Sequence, residues 1–440
     1  MSEMTKQVGE VQCRWHWVER AVWTDRMLNA LETGLKGACW FSLIDKVYSE
    51  RNLNASYSKV ARNKGSAGVD HVTVKRFGDR LDEEIARLHR ELKEGTYQAQ
   101  AIRRVQIPKP GSKEKRPLGI PTVRDRVVQA AVRAVLEPIF ERDFSSSSYG
   151  FRPGLGCKDA LRRVDNLLND GYQWVVDLDI RKYFDTIPHD KLMALIAKRI
   201  GDSRVLGLIE MYLKQPVFEE LKEVTPEEGS PQGAVLSPLL ANIYLSPLDL
   251  KMTRGGYEMV RYADDIVVLC KTEEEAIMAL EEMRQWMESA GLTIHPEKTR
   301  IVDVAGGEGF AYLGYWFQKD KLTPSRVSYV VRPESLKHLR QKLRLLTRRA
   351  NGKSIEETVR KVSSIVRGWY EYYKHSRLEP LRRIDAWVRM RLRSILRQRN
   401  GGKGRGRGLD NLKWPNVYFR KLGLFSMVTA RNLLVQSSCR

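Results

Sequence analysis

Arg261-Tyr262-Ala263-Asp264-Asp265-Ile266-Val267-Val268-Leu269-Cys270 sets two adjacent carboxylates between apolar runs rich in β-branched residues. The stretch from Met259 to Cys270 reads as two short strands around a tight turn. Neighbouring like charges repel, so the pair has two readings. One is a solvated Asp-Asp hairpin turn; the other is a seat for a hard divalent cation, which takes oxygen ligands and offsets the repulsion.

A second strand upstream, Trp174-Val175-Val176-Asp177-Leu178-Asp179-Ile180, puts Val176, Leu178 and Ile180 on one face and Asp177 and Asp179 on the other. Two more carboxylates therefore leave a sheet together. A polar edge face accounts for Asp177 as well as metal binding does, and its role stays open. For Asp179 the metal reading is the stronger, because Arg181-Lys182-Tyr183-Phe184-Asp185 brings a bulky aromatic, Phe184, five residues on at the strand end.

The chain around these strands has 440 residues, too many for one ordinary core, and predicts several packed units. Its 76 Lys and Arg against 54 Asp and Glu give a net charge of +22. Residues 331–440 hold 28 Lys and Arg against 7 Asp and Glu, whereas residues 1–330 hold 48 against 47, so the last quarter carries nearly all the excess. Such asymmetry marks a protein that grips a polyanion. No run of about 18 apolar residues occurs, which argues against a membrane-spanning segment. Five cysteines, none spaced C-x-x-C, support neither a disulfide framework nor a zinc ribbon, and a reducing cytoplasm is expected.

Other segments organise the chain. The first fifty residues read as helical with a partly apolar surface, and Asn63 to Asp70 is a Gly-punctuated basic turn before a charged helix reaching Glu94. Ile102 to Pro110 and Arg116 to Ile120 make a proline-rimmed basic hairpin. Helices are predicted from Asp125 to Phe140 and from His189 to Ile200. Beyond Pro333, Leu336, Leu339, Leu343, Leu346, then Ile355, Val359, Val362, Val366, then Leu381, Ile384, Val388, Leu392 recur at helical spacing, predicting three amphipathic basic helices. The glycine-rich stretch 400–408 predicts a mobile basic linker.

Asp179-Ile-Arg-Lys-Tyr-Phe184-Asp-Thr-Ile, Gly229-Ser-Pro-Gln-Gly-Ala-Val-Leu-Ser-Pro238 and Tyr262-Ala-Asp-Asp265 follow the order and approximate spacing of polymerase motifs A, B and C. With them the chain resembles the reverse transcriptases encoded by bacterial group II introns. The resemblance extends over roughly residues 25 to 430: Asn63 to Asp70 is similar to an N-terminal extension, Ile107 to Pro121 to a fingertip hairpin, and Ser148 to Gly154 to the following block. Gly291 to Thr299 is similar to motif D, Phe310 to Tyr315 to a primer grip, and Val366 to Tyr373 to the maturase domain.

The resemblance implies an α+β, right-hand polymerase fold: fingers and a palm with an antiparallel sheet, then an α-helical thumb or maturase domain and a short C-terminal segment. The implied division is an N-terminal helical extension (1–60), fingers (61–175), palm (176–330), thumb (331–399) and a basic C-terminal segment (400–440). Asp179, Asp264 and Asp265 would hold two Mg2+ ions. Lys109 and Arg116 match the fingertip cations on an incoming dNTP, Phe184 a steric gate against a ribose 2′-hydroxyl, Gln232 a contact to the nucleotide sugar and template base, and Lys298 a donor of a proton to pyrophosphate. Arg340, Arg344, Arg348, Arg349 and Arg367 are the candidate RNA contacts, among Trp369, Tyr370, Tyr372 and Tyr373, aromatics suited to stacking on unpaired bases.

Implied partners are group II intron RNA, an RNA template with a DNA primer, target DNA and dNTPs, with no membrane, in a cytoplasmic protein that joins the nucleoid on target DNA. The sequence shows no paired-cysteine, histidine-rich endonuclease motif, so target-strand cleavage is not expected, and the compact form resembles group IIC proteins. Two alternatives stand beside a polymerase and maturase: an RNA-folding cofactor with little polymerase use, against which the intact carboxylates argue, and a domesticated reverse transcriptase in host defence or DNA repair.

Overall fold

A computed structural model describes residues 13–34, 39–108, 115–219, 222–320, 323, 326–350 and 352–438. The chain divides into two compact units, Met1–Ala305 and Gly306–Arg440. The sequence places the palm's end at 330, but by packing the strands at 309–331 group with the C-terminal helices.

In the first unit the helix Val123–Glu141 is buried along almost its whole length: Val127, Val128, Ala131, Val132, Val135 and Leu136 are buried, and between its end turns only a narrow line through Arg133 and Glu137 stays partly exposed. Thr122 caps it, accepting from the Asp125 backbone N–H at 3.1 Å. Helices Ile44–Tyr48 and Glu50–Arg62 cover it. Strands β1 (Ile102–Pro108) and β2 (Lys115–Ile120) form the basic hairpin. It adds two short strands to make a four-stranded sheet.

A second four-stranded sheet contains β3 (Trp174–Asp179) and, after short strands β4 (Val217–Glu219) and β5 (Lys222–Val224) of the first, β6 (Glu258–Tyr262), β7 (Asp265–Cys270) and β8 (Arg300–Asp303). Its order is β6-β7-β3-β8, antiparallel throughout. Strand alternation sorts its side chains. Val176 and Leu178 of β3, opposite Val268 and Ile266 of β7, enter the main core. The other face opens apolar with Val175, opposite Leu269, and ends acidic with Asp177 and Asp179. The helices Ser237–Arg254 and Glu273–Ser289 pack beside this sheet.

The second unit begins with a three-stranded antiparallel sheet: β9 (Gly309–Tyr312), β10 (Tyr315–Lys319) and β11 (Val327–Val331), in the order β11-β10-β9. Helices Pro333–Leu346, Ile355–Tyr373 and Leu378–Arg399 follow, packed through Leu339, Leu343, Val359, Val362, Val366, Leu381, Ile384, Val388 and Leu392. Leu336 and Leu346 sit at the edge of that core. The stretch 400–408 is not the free linker its composition suggests. The Gly406 N–H donates to Ser394 at 2.9 Å, and a Cβ at Gly406 would meet Arg393 Cβ at 2.4 Å, so a glycine lets the chain lie against the long helix. Among the described residues, no helix is long and apolar enough to cross a membrane.

Candidate active site

Asp179 closes β3 and Asp265 opens β7, and the two are register partners. Asp264 lies between β6 and β7 in a two-residue turn whose first residue, Ala263, has φ +59°. A hairpin loop this short demands a positive φ, which an alanine adopts only under constraint. The end of β3 is held by the segment that follows Gly291: the Arg181 N–H donates to the Thr293 carbonyl and the His295 N–H to the Asp179 carbonyl, both at 2.8 Å.

The carboxylates stand at the wall of a cavity of about 1170 Å³, lined also by Arg104, Lys115, Arg116, Phe184, Gln232, His295 and Lys298. Asp265 keeps an exposed edge at the strand end, yet loss of hydration on its protein side, with Asp264, Asp179 and Asp177 adding their charge, pushes its carboxyl up to about 7, against a small opposing pull from Lys298. Burial likewise raises Asp264, with Arg116 among the groups that oppose it. Lys298 Nζ lies 3.0 Å from Asp179 Oδ2, and Arg300 Nε 3.7 Å from Asp177 Oδ2. Asp177 thus faces its cross-strand neighbour Arg300. Among the described residues no three potential ligands already close on one point. The fit to a metal rests on charge and donor type: carboxylate oxygens concentrated at one strand end suit a hard divalent ion.

The nucleotide-side candidates gather on the same cavity. Arg116 Nε donates to Gln232 Oε1 at 2.7 Å, and the Gly119 N–H donates to the Gln232 carbonyl at 2.6 Å. Gly233, at φ +107°, permits this approach, since a Cβ there would lie 2.5 Å from the Gly119 carbonyl. Phe184 is 8% exposed and lines the cavity while its carbonyl accepts from the Ser230 N–H at 2.6 Å. Lys109 lies outside the described residues.

The sequence reading did not single out Arg104, Lys182 or His295. Arg104, Lys182 and Arg116 oppose the rise that burial imposes on Asp185, which makes this wall cationic. The period-two alternation of Ile102, Arg104 and Gln106 in β1, all three on the cavity, was the available signal for Arg104.

In the second unit Arg344, Arg348 and Arg349 are exposed, whereas Arg340 is half-buried. Arg367 is exposed and stacks over Phe425 at 5.2 Å. Tyr370 and Tyr373 are core residues, and the Tyr372 hydroxyl donates to the Leu313 carbonyl at 2.8 Å, so these rings build the unit itself.

The family model "Reverse transcriptase (RNA-dependent DNA polymerase)" matches residues 107–317, and "Group II intron, maturase-specific domain" matches residues 336–414. Protein YkfC of Escherichia coli is 36% identical, the match covering 56% of this chain and 74% of YkfC. The group II intron-encoded protein LtrA of Lactococcus lactis is 41% identical over 44% of this chain, a match that spans 32% of LtrA. A solved partial complex of Cas6-RT-Cas1 with Cas2 is 25% identical, covering 56% of this chain and 41% of that one, at a TM-score of 0.37. The carboxylates lie within the first matched region and most of the cationic helices within the second, and the chain belongs to the reverse transcriptases of group II introns, as an RNA-directed DNA polymerase with a maturase domain.

Proposed function

We propose that Asp179, Asp264 and Asp265 hold two Mg2+ ions and that the cavity beside them binds a primer end and an incoming dNTP. The observation that carries this reading is the meeting of the three carboxylates at one end of the β3–β7 ladder, facing a wall of Arg104, Lys115 and Arg116. Bound there, the ions would lower the pKa of the primer 3′-hydroxyl and stabilise charge on the α-phosphate and the leaving pyrophosphate. The protein's own groups do the rest. Arg116, with Lys109, clasps the triphosphate through charge-assisted hydrogen bonds. Gln232 contacts the sugar and the template-side base. Phe184 occupies the space a 2′-hydroxyl would need. Lys298 holds a proton beside Asp179 and delivers it to pyrophosphate.

The maturase domain binds intron RNA through Arg344, Arg348, Arg349 and Arg367, with Arg340 in a lesser part, assists splicing, and brings the intron RNA to target DNA, where it is copied after insertion. A net of +21 over 110 residues repels itself unless a polyanion supplies counter-charge. Two assays on the purified chain test both halves: extension of a DNA primer on an RNA template with dNTPs and Mg2+, and splicing of a group II intron transcript with and without the protein. No RNA-templated product in the first, or equal splicing in the second, overturns the corresponding half.

A further inference from the structure

Behind the carboxylate turn lies an arginine that faces away from the cavity. Arg261, on β6, is fully buried and uses all five of its guanidinium N–H groups. Nε donates to Asp249 Oδ1 at 2.7 Å, and Nη2 to Asp249 Oδ2 at 2.5 Å and Ser148 Oγ at 2.7 Å. Nη1 donates to Asn242 Oδ1 at 3.0 Å and to the carbonyl of Ala263 at 2.9 Å. Asn242 in turn donates to the Gly150 carbonyl at 2.7 Å, and Gly150 lies so near the turn that a Cβ would fall 2.3 Å from the Ala263 nitrogen. The Arg261 N–H and carbonyl are bonded to Ser147 and Tyr149, each at 2.8 Å.

Stability is a weak explanation of this arrangement. A buried ion pair loses hydration it only partly recovers, and apolar residues of similar volume usually stabilise as well or better. Geometry does explain it. The Ala263 carbonyl and the Asp264 nitrogen belong to one planar peptide, so a guanidinium that fixes the carbonyl fixes the direction in which Asp264 leaves the turn.

We infer that Arg261, held by Asp249, Asn242 and Ser148, is a positioning residue that sets the affinity of the carboxylate turn for its divalent cations. The inference rests on the metal reading proposed above. Mn2+ binding, followed by the free-ion electron paramagnetic resonance signal, is measured on the complex with template, a chain-terminated primer and the next dNTP. Melting temperature is recorded in parallel. Arg261→Met with Asp249→Leu keeps the volume filled but takes the Arg261 donor from Asn242, Ser148 and the Ala263 carbonyl, so its melting temperature should fall, while Mn2+ affinity of the folded variant drops by about 10- to 100-fold, as supporting ligands of metal sites typically require. Ser148→Ala, which removes a single hydrogen bond, should weaken Mn2+ by about fivefold with little change in melting. A folded double variant with parental Mn2+ affinity overturns the inference; if the double variant does not fold, parental affinity in Ser148→Ala overturns it. Asp264→Asn is the separate control, because parental Mn2+ affinity there removes the metal reading itself.

Discussion

Asp179 and Asp265 face each other across the last rung of the six-rung β3–β7 ladder. Directly opposed like charges on one sheet face destabilise the pair. The sheet therefore spends stability to set two carboxylates side by side, and a third, Asp264, sits one residue away in the turn. Among the described residues, only Lys298 stands within ion-pair distance of Asp179, and it is half-exposed, where such a pair is worth little. A cation bound among these groups would relieve what the fold leaves uncompensated.

Asp264→Asn should end primer extension on an RNA template, with activity below about a hundredth of the parent's, because charge neutralisation at the reacting phosphate contributes several kcal/mol. Asp179→Asn should be equally severe. Asp177→Asn should be milder, since Asp177 faces Arg300 rather than the turn. Steady-state extension rates of the three variants check the order, and a more severe Asp177→Asn would mean that β3 contributes a different ligand.

Much of this site was legible beforehand because strand alternation and turn chemistry are local. The spacing of Val176, Leu178 and Ile180 fixes which face carries Asp177 and Asp179, and the Asp-Asp turn between β-branched runs fixes the hairpin. The Lys298–Asp179 pair, 119 positions apart, had no local signal. Nor did Arg261, whose charge reads as surface in any window; its burial is set by Asp249 and Asn242, which share one face of the helix Ser237–Arg254. At 400–408, glycine composition alone does not distinguish a chain that is loose from one that must pass close to a helix.

The raised Asp265 carboxyl predicts a pH-dependent response to metal. With its folded pKa at about 7 and an unfolded value near 4, Asp265 binds its proton more tightly when folded. The metal-free protein keeps that stabilisation below about pH 4 and loses it as pH rises through about 7. Ionised Asp265 is also the better ligand, so Mg2+ should raise the melting temperature more at pH 8 than at pH 6. Thermal melts at the two pH values with and without Mg2+ check this, and Asp265→Asn should flatten the difference.

Phe184→Ala should admit ribonucleotides, because removing the ring opens the cavity wall where a 2′-hydroxyl would collide. Deoxynucleotide addition should persist at a reduced rate, since the Phe184 backbone bond to Ser230 does not depend on the side chain. The ratio of kcat/KM for a ribonucleotide and its deoxy counterpart is the readout, and a rise of about tenfold or more is expected for relief of one close contact. An unchanged ratio would make Phe184 a core residue with the gate elsewhere.

Synthesis and RNA binding should separate along the chain. Replacing the exposed Arg344, Arg348 and Arg349 by Gln leaves the core of the second unit untouched, as none of the three is among its buried residues. It should free up to about three RNA phosphates and flatten the salt dependence of intron RNA binding by roughly 0.7 to 0.9 for each phosphate no longer neutralised. Adding Arg340→Gln should cost stability as well, because that side chain is half-buried. Asp264→Ala with Asp265→Ala should do the reverse, ending synthesis while leaving RNA affinity nearly intact. RNA binding across a salt series and primer extension on a short template, measured on each variant, decide the matter. An unchanged salt slope in the triple arginine variant would make Arg344 and the turn after its helix a solvated face and move the RNA-binding surface to another part of the +21 segment.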